Sequence, residues 1–120
     1  MKNILIVDDS AEIRETLSKL LRTIDGLIIA GEADNYPSAI NNFENLKPDT
    51  VILDIDLPIG NGIDILTEMK KIDPNVTIIM FTNYSNHTLK KMAIKQGADF
   101  FLDKSSDIDK LTEILTELAN

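Results

Sequence analysis

Two apolar runs of strand length, each closing on a pair of acids, constrain this chain more than any other feature. Ile4-Leu5-Ile6-Val7 runs into Asp8-Asp9, and Val51-Ile52-Leu53 runs into Asp54-Ile55-Asp56. Runs that are apolar at every position suit strands covered on both faces, as in parallel sheets flanked by helices. Carboxylates belong at the tip of such a strand only where something compensates their charge. Parallel neighbours would gather three or four acids at their carboxyl ends, and like charges that close raise one another's pKa unless a cation sits among them. The arrangement predicts a Mg²⁺ site. A third run, Phe100-Phe101-Leu102, leads through Asp103 to Lys104, a fixed positive charge for the same sheet edge. Acids, metal and lysine together suit phosphoryl chemistry.

Strand-like and helix-like periods alternate five times, the pattern of βα units around a parallel sheet. After the first strand, Ile13, Leu17, Leu20, Leu21 and Ile24 recur at helical spacing behind the cap candidates Asp9 and Ser10, with a stop near Gly26. Leu27 to Gly31 reads as a second strand, and Pro37 opens a helix with Ala39, Ile40 and Phe43 inward. Thr50 to Leu53 is the central third strand. Ile63, Leu66, Met69 and Ile72 mark the third helix, which Pro74 closes, and Val76 to Phe81 the fourth strand. Leu89, Met92 and Ala93 predict the inner face of a fourth helix ending at Gly97, before the fifth strand, Phe100 to Leu102. The last helix carries Ile108, Leu111, Ile114, Leu115 and Leu118. Right-handed crossovers make a doubly wound five-stranded α/β sheet of order 2-1-3-4-5 the natural solution, with its switch point beside strands one and three. Both acid pairs fall at that crevice.

Length and charge exclude several functions. At 120 residues the chain is expected to form one domain, 1–120, with no length left for a cap or an effector module. A net charge of -8 argues against direct nucleic-acid binding, which needs clustered Lys and Arg. Lys90, Lys91 and Lys95 form the one local basic group, which reads as a solvated helix face. No apolar stretch approaches the roughly 20 residues of a membrane span, and no signal-peptide core follows Met1, so a cytoplasmic location is expected. With no cysteine and His87 as the sole histidine, disulfides, thiolate catalysis and histidine metal sites are excluded.

Taken together, Val7-Asp8-Asp9, Leu53-Asp54-Ile55-Asp56-Leu57-Pro58 with Gly62 beyond, Phe81-Thr82 and Phe101-Leu102-Asp103-Lys104 resemble the receiver domain of two-component response regulators, over essentially the whole chain. The resemblance implies a flavodoxin-like (βα)5 fold in three α/β/α layers. It implies that Asp54 accepts a phosphoryl group from a sensor histidine kinase or phosphotransfer protein, making the chain a switch with slow self-dephosphorylation and not a turnover enzyme. Asp9, with Asp8 and Asp54 and the backbone carbonyl of Asp56, would hold Mg²⁺; Lys104 would pair with Asp54 and then with the phosphoryl group; Thr82 would donate its hydroxyl. The pull on Thr82 would free space for Phe101 to turn, so that the signal is read on the face of the fourth helix, fifth strand and fifth helix, where a partner or a second copy of the chain could dock.

Each residue alone also has a plainer reading. Asp9 could cap a helix, Asp54 could be a turn acid, Thr82 could cap helix four, Lys104 could snorkel from a strand end, and Phe101 could simply be core. Three positions depart from the family pattern. Asn83 stands where a small residue is usual, Ser105 where proline in a cis peptide is common, and Phe101 where tyrosine is frequent; Tyr84 and Asp56 flank the site where the aspartyl-phosphate lifetime is tuned. A cis non-proline bond costs about 2.5–4 kcal/mol, so the Lys104-Ser105 bond is either trans or held cis by the site. The rival readings are a haloacid-dehalogenase-type phosphatase, for which Leu57-Pro58 fits poorly, a flavodoxin-like binding module, and a receiver-like scaffold that works without phosphorylation.

Overall fold

A computed structural model describes residues 1–120. Its elements are β1 (Lys2–Val7), α1 (Ala11–Arg22), β2 (Leu27–Ala33), α2 (Tyr36–Leu46), β3 (Thr50–Leu53), α3 (Gly62–Ile72), β4 (Thr77–Thr82), α4 (His87–Lys95), β5 (Phe100–Asp103) and α5 (Ile108–Ala119). The five strands are parallel and ordered β2-β1-β3-β4-β5, as the alternation and handedness predict. No helix is long and apolar enough to cross a membrane.

Strand alternation divides the core cleanly. Leu5, Val7, Val51, Leu53, Ile78 and Met80 face the layer built by α2, α3 and α4, together with Phe43, Leu66 and Met69. Ile4, Ile6, Ile52, Ile79, Phe81 and Leu102 face the α1 and α5 layer, against Leu17, Leu21, Leu111 and Leu115. β1, β3 and β4 are thus apolar at successive positions because both faces are covered. Only at their carboxyl ends, past the reach of the helices, does the sequence turn acidic.

Local differences from the expected elements have local causes. α1 is capped by Ser10, whose hydroxyl accepts from the Ile13 N–H at 3.2 Å, so Asp9 is released from the capping role. The helix stops at Arg22, and Ile24 packs from beyond its end. β2 continues to Ala33 because its pairing with β1 persists past a register shift at Ile4/Leu5. Val76 is buried but precedes β4, and Thr82 and Asp103 lengthen β4 and β5 by pairing with each other. Met92 does not belong to the inner face of α4: it is 47% exposed, and only Ala93 is fully buried there. α4 packs onto the core through Ala93, with Leu89 partly buried beside it, and Met92 is left facing out.

Leu66, completely buried in α3, tests this packing. Leu66→Ala is expected to cost about 2–5 kcal/mol, read as a lower urea midpoint with an unchanged slope.

Candidate functional site

Strand register alone delivers the acids. The β1–β3 ladder pairs Val7 with Leu53, and the Asp54 N–H then bonds the Val7 carbonyl at 3.0 Å, so Asp54 leaves β3 beside Asp8. On the other flank Thr82 pairs with Asp103, and the Lys104 N–H bonds the Thr82 carbonyl at 3.0 Å. Lys104 extends back across the sheet edge. Its Nζ lies 2.6 Å from Asp8 Oδ2 and 2.9 Å from Asp54 Oδ2.

This ion pair is largely withdrawn from water, with Asp8 2%, Asp54 5% and Thr82 0% exposed. Asp8 Oδ1 also accepts the Ser10 N–H at 2.9 Å, and Asp54 Oδ1 accepts the Ile55 N–H at 2.7 Å. Burial pushes the Asp8 carboxyl above its ordinary value despite the hydrogen bonds from Lys104 and Ser10, with the Asp54 charge adding to the rise. For Lys104, burial favours the neutral amine, but the hydrogen bonds and charges of Asp8 and Asp54 outweigh it and raise the pKa. Exposed Asp9 completes the group: one carboxylate oxygen from each of Asp8, Asp9 and Asp54 lies within 4.8 Å of the others. Three carboxylates face one ammonium, and an all-oxygen donor set with negative charge in excess suits a hard divalent cation such as Mg²⁺.

The remaining sequence candidates surround this centre. Thr82 Oγ1 accepts the Tyr84 N–H at 3.1 Å and caps no helix, since Asn86 caps α4. Asp56 is exposed just past the β3 tip, bridged to Asn61, and the Tyr84 hydroxyl reaches its Oδ2 at 3.5 Å. Phe101 is half-buried against the α2–α4 side of the core. Asn83 is exposed, as are His87, Lys90, Lys91 and Lys95. The chain has no cis peptide, so the Lys104-Ser105 bond is trans. A surface groove of about 670 Å³ between α2, α3 and α4 contains none of Asp8, Asp9, Asp54 and Asp56.

Two supports escaped the sequence reading. The Arg14 guanidinium donates to the Asp8 carbonyl at 2.6 Å and to Glu32 at 3.1 Å, tying the tip of β1 to β2. Nothing in a lone helical arginine signals a carbonyl six residues away. Gly62 was legible as part of a motif but not in its cause. A Cβ there would collide with the Asp54 carbonyl oxygen and lie 2.8 Å from Ile55 Cα. The start of α3, capped by Asn61, therefore presses on the backbone that carries Asp54.

With the geometry in place, the comparisons with known proteins are decisive: the family model for the response regulator receiver domain matches residues 4–116. The chain belongs to the response regulator receiver family. It is 39% identical over 118 residues to the chemotaxis protein CheY of Thermotoga maritima, covering 98% of each chain. It is 36% identical over 116 residues to the protein-glutamate methylesterase/protein-glutamine glutaminase 1 of Carboxydothermus hydrogenoformans, covering 95% of this chain and 34% of that protein. The CheY structure in a CheX-CheY-BeF3-Mg²⁺ complex from Borrelia burgdorferi superposes with a TM-score of 0.90 at 28% identity, over 98% of this chain and 88% of that one. The receiver works in phosphorylation-based signalling. Receiver domains are signalling switches that bind Mg²⁺ in an acidic pocket and interact with kinases, phosphatases and effectors, and the Asp8, Asp9 and Asp54 cluster is consistent with such a pocket.

Two outcomes follow for this site. Gly62→Ala is expected to lower stability and to displace the Asp54 backbone, read as shifted Asp54 and Ile55 amide resonances beyond those near the substitution. Because folding raises the Asp8 pKa, the native state holds that proton longer than the unfolded chain, and this group's contribution to stability falls as pH rises above 3.8. The stability of Asp8→Asn relative to the parent should therefore improve from pH 4 to pH 6 in parallel urea titrations.

Proposed function

We propose that Asp54 is the phosphoacceptor, taking a phosphoryl group from the phosphohistidine of a sensor histidine kinase or phosphotransfer protein in a Mg²⁺-dependent step. The observation that supports this most directly is the Lys104 ammonium 2.9 Å from Asp54 Oδ2 on a buried sheet edge, with exposed Asp9 beside it. An Asp54 oxygen attacks phosphorus, the O–P bond forms as the P–N bond breaks, and the imidazole leaves with the electron pair. Lys104, held by Asp8 throughout, shifts its second contact from Asp54 to a phosphoryl oxygen. Thr82, whose oxygen accepts the Tyr84 N–H, donates its free hydroxyl proton to the phosphoryl group. Asp8, Asp9, Asp54 and the Asp56 carbonyl would hold Mg²⁺, which neutralises charge on the phosphoryl oxygens.

The acyl phosphate is lost by slow attack of water at phosphorus, so the domain acts as a switch and not a turnover enzyme. The whole of 1–120 works as one receiver domain in the cytoplasm, without contacting nucleic acid. Withdrawal of Thr82 toward the site lets Phe101 turn inward and alters the α4-β5-α5 face, where Lys90, Lys91 and Lys95 offer charge to an acidic partner or to a second copy.

Intact-protein mass after incubation with acetyl phosphate, and with a promiscuous histidine kinase in case Asn83 restricts small donors, tests the assignment. A gain of about 80 Da that requires Mg²⁺, is lost to hydroxylamine and is absent from Asp54→Asn is the expected result. An adduct that persists on Asp54→Asn would place the acceptor elsewhere.

A further inference from the structure

Asp103 has no part in the reaction above, yet it is the most heavily bonded residue beside the site. It ends β5 in register with Thr82 and immediately precedes Lys104. Its carboxylate accepts from the Ser105 N–H at 2.7 Å, from the Ser105 hydroxyl at 2.5 Å, and from the hydroxyl of Ser85 in the loop between β4 and α4. The hydrogen bonds from Ser105 and Ser85 hold this carboxyl below its ordinary pKa, so it is an anion at neutral pH. Its backbone is fastened as well: the N–H donates to Asp107 Oδ2 at 2.9 Å, and the carbonyl accepts the Asp107 N–H at 2.9 Å. The turn from Lys104 to Asp107 is thus wound around Asp103.

The side chain links two loops that sequence keeps apart. Ser105 follows Lys104, whereas Ser85 follows Tyr84, whose N–H bonds the Thr82 hydroxyl oxygen at 3.1 Å. Two adjacent ties therefore hold the β4–α4 loop in its present place, one from Tyr84 to Thr82 and one from Ser85 to Asp103. We propose that Asp103 is a positioning residue: its carboxylate clasps Ser85 to the Lys104 turn and holds the domain in the resting arrangement, with the Thr82 hydroxyl engaged by the loop. The Tyr84 N–H occupies only a lone pair of the Thr82 hydroxyl, so a Thr82 drawn toward a phosphoryl group on Asp54 pulls the loop with it or leaves it, and the neighbouring Ser85 tie resists either movement. A bond present only in the resting arrangement opposes every ligand that favours the other one, by the full difference it makes between the two states.

The clasp also gives position 105 a reason. A proline there has neither the N–H nor the hydroxyl that Ser105 gives to Asp103. The serine that departs from the family's common residue instead builds the anchored side of the clasp.

The inference rests on Asp54 being the acceptor, and its test separates the two. Ser85→Ala removes one end of the clasp from an exposed loop and leaves the Lys104 turn and its Ser105 bonds intact. In the full chain without ligand, hydrogen exchange at the Tyr84 amide, which bonds the Thr82 hydroxyl oxygen, should accelerate about threefold or more, as for loss of one surface hydrogen bond. Affinity for beryllofluoride with Mg²⁺ should tighten by about the same factor, whereas a merely damaged site would bind more weakly. Asp103→Ala should speed exchange likewise, and adding Ser85→Ala to it should change nothing further. Unchanged exchange in Ser85→Ala, unchanged or weaker beryllofluoride binding, or additive effects in the double variant would overturn the clasp. Failure of the parent chain to bind beryllofluoride would instead count against Asp54 as acceptor, while the exchange measurements still decide the clasp.

Discussion

Everything at the carboxyl edge of the sheet depends on one ammonium group. Lys104 lies between Asp8 and Asp54 with only 9% of its side chain exposed, and it joins the tips of three strands, β1, β3 and β5, that are dispersed in sequence. Removing one partner of such a buried pair leaves an uncompensated charge, at a typical cost of 3–5 kcal/mol. For the role proposed for Asp54, the same contact would prepare the chemistry, because a cation already in place beside a carboxylate can pass to the oxygens of an incoming phosphoryl group without reorganisation.

The two edges of the sheet use acids in opposite ways. At the amino edge, Asp49 accepts the Asn3 N–H at 2.7 Å, and Asp99 accepts the Ile78 N–H at 2.8 Å and pairs with Lys70 at 3.1 Å. Each of those carboxylates has backbone or lysine partners of its own. At the carboxyl edge, Asp8 and Asp54 share one lysine with Asp9 beside them, and burial pushes the Asp8 pKa up. Negative charge in excess of one ammonium is what suits this edge to a divalent cation. Gly62 adds a steric counterpart, since α3 is brought against the Asp54 carbonyl so closely that no side chain fits.

The site was legible where chemistry is written in residue type and position along a strand. Asp8, Asp9, Asp54, Thr82 and Lys104 all stand at or just past strand ends, and a period-2 or fully apolar run makes such ends easy to find. Met92 misled because apolar residues at helical spacing do not reveal which of them a short helix buries; on α4 it is Ala93. Asp9 and Ser10 were equal candidates for the α1 cap, and only the backbone turn decided for Ser10. Arg14 and Asp103 were invisible as supports because their partners lie across loops, and one of Arg14's is a backbone carbonyl that carries no residue identity.

The amino-acid sequence by itself determined the alternating elements, the doubly wound order and the family, because hydrophobic period, crossover handedness and motif residues act locally or along a single strand. It also supplied the cast of the site. Tertiary structure alone decided which carboxylates share Lys104, which acid remains open to solvent, the trans Lys104-Ser105 bond, and the fastening of the β4–α4 loop to β5. Those outcomes depend on distances of a few ångströms between segments far apart in the chain, as Lys104 is from both Asp54 and Asp8. Such distances follow from register and helix-to-sheet spacing, which no local pattern encodes.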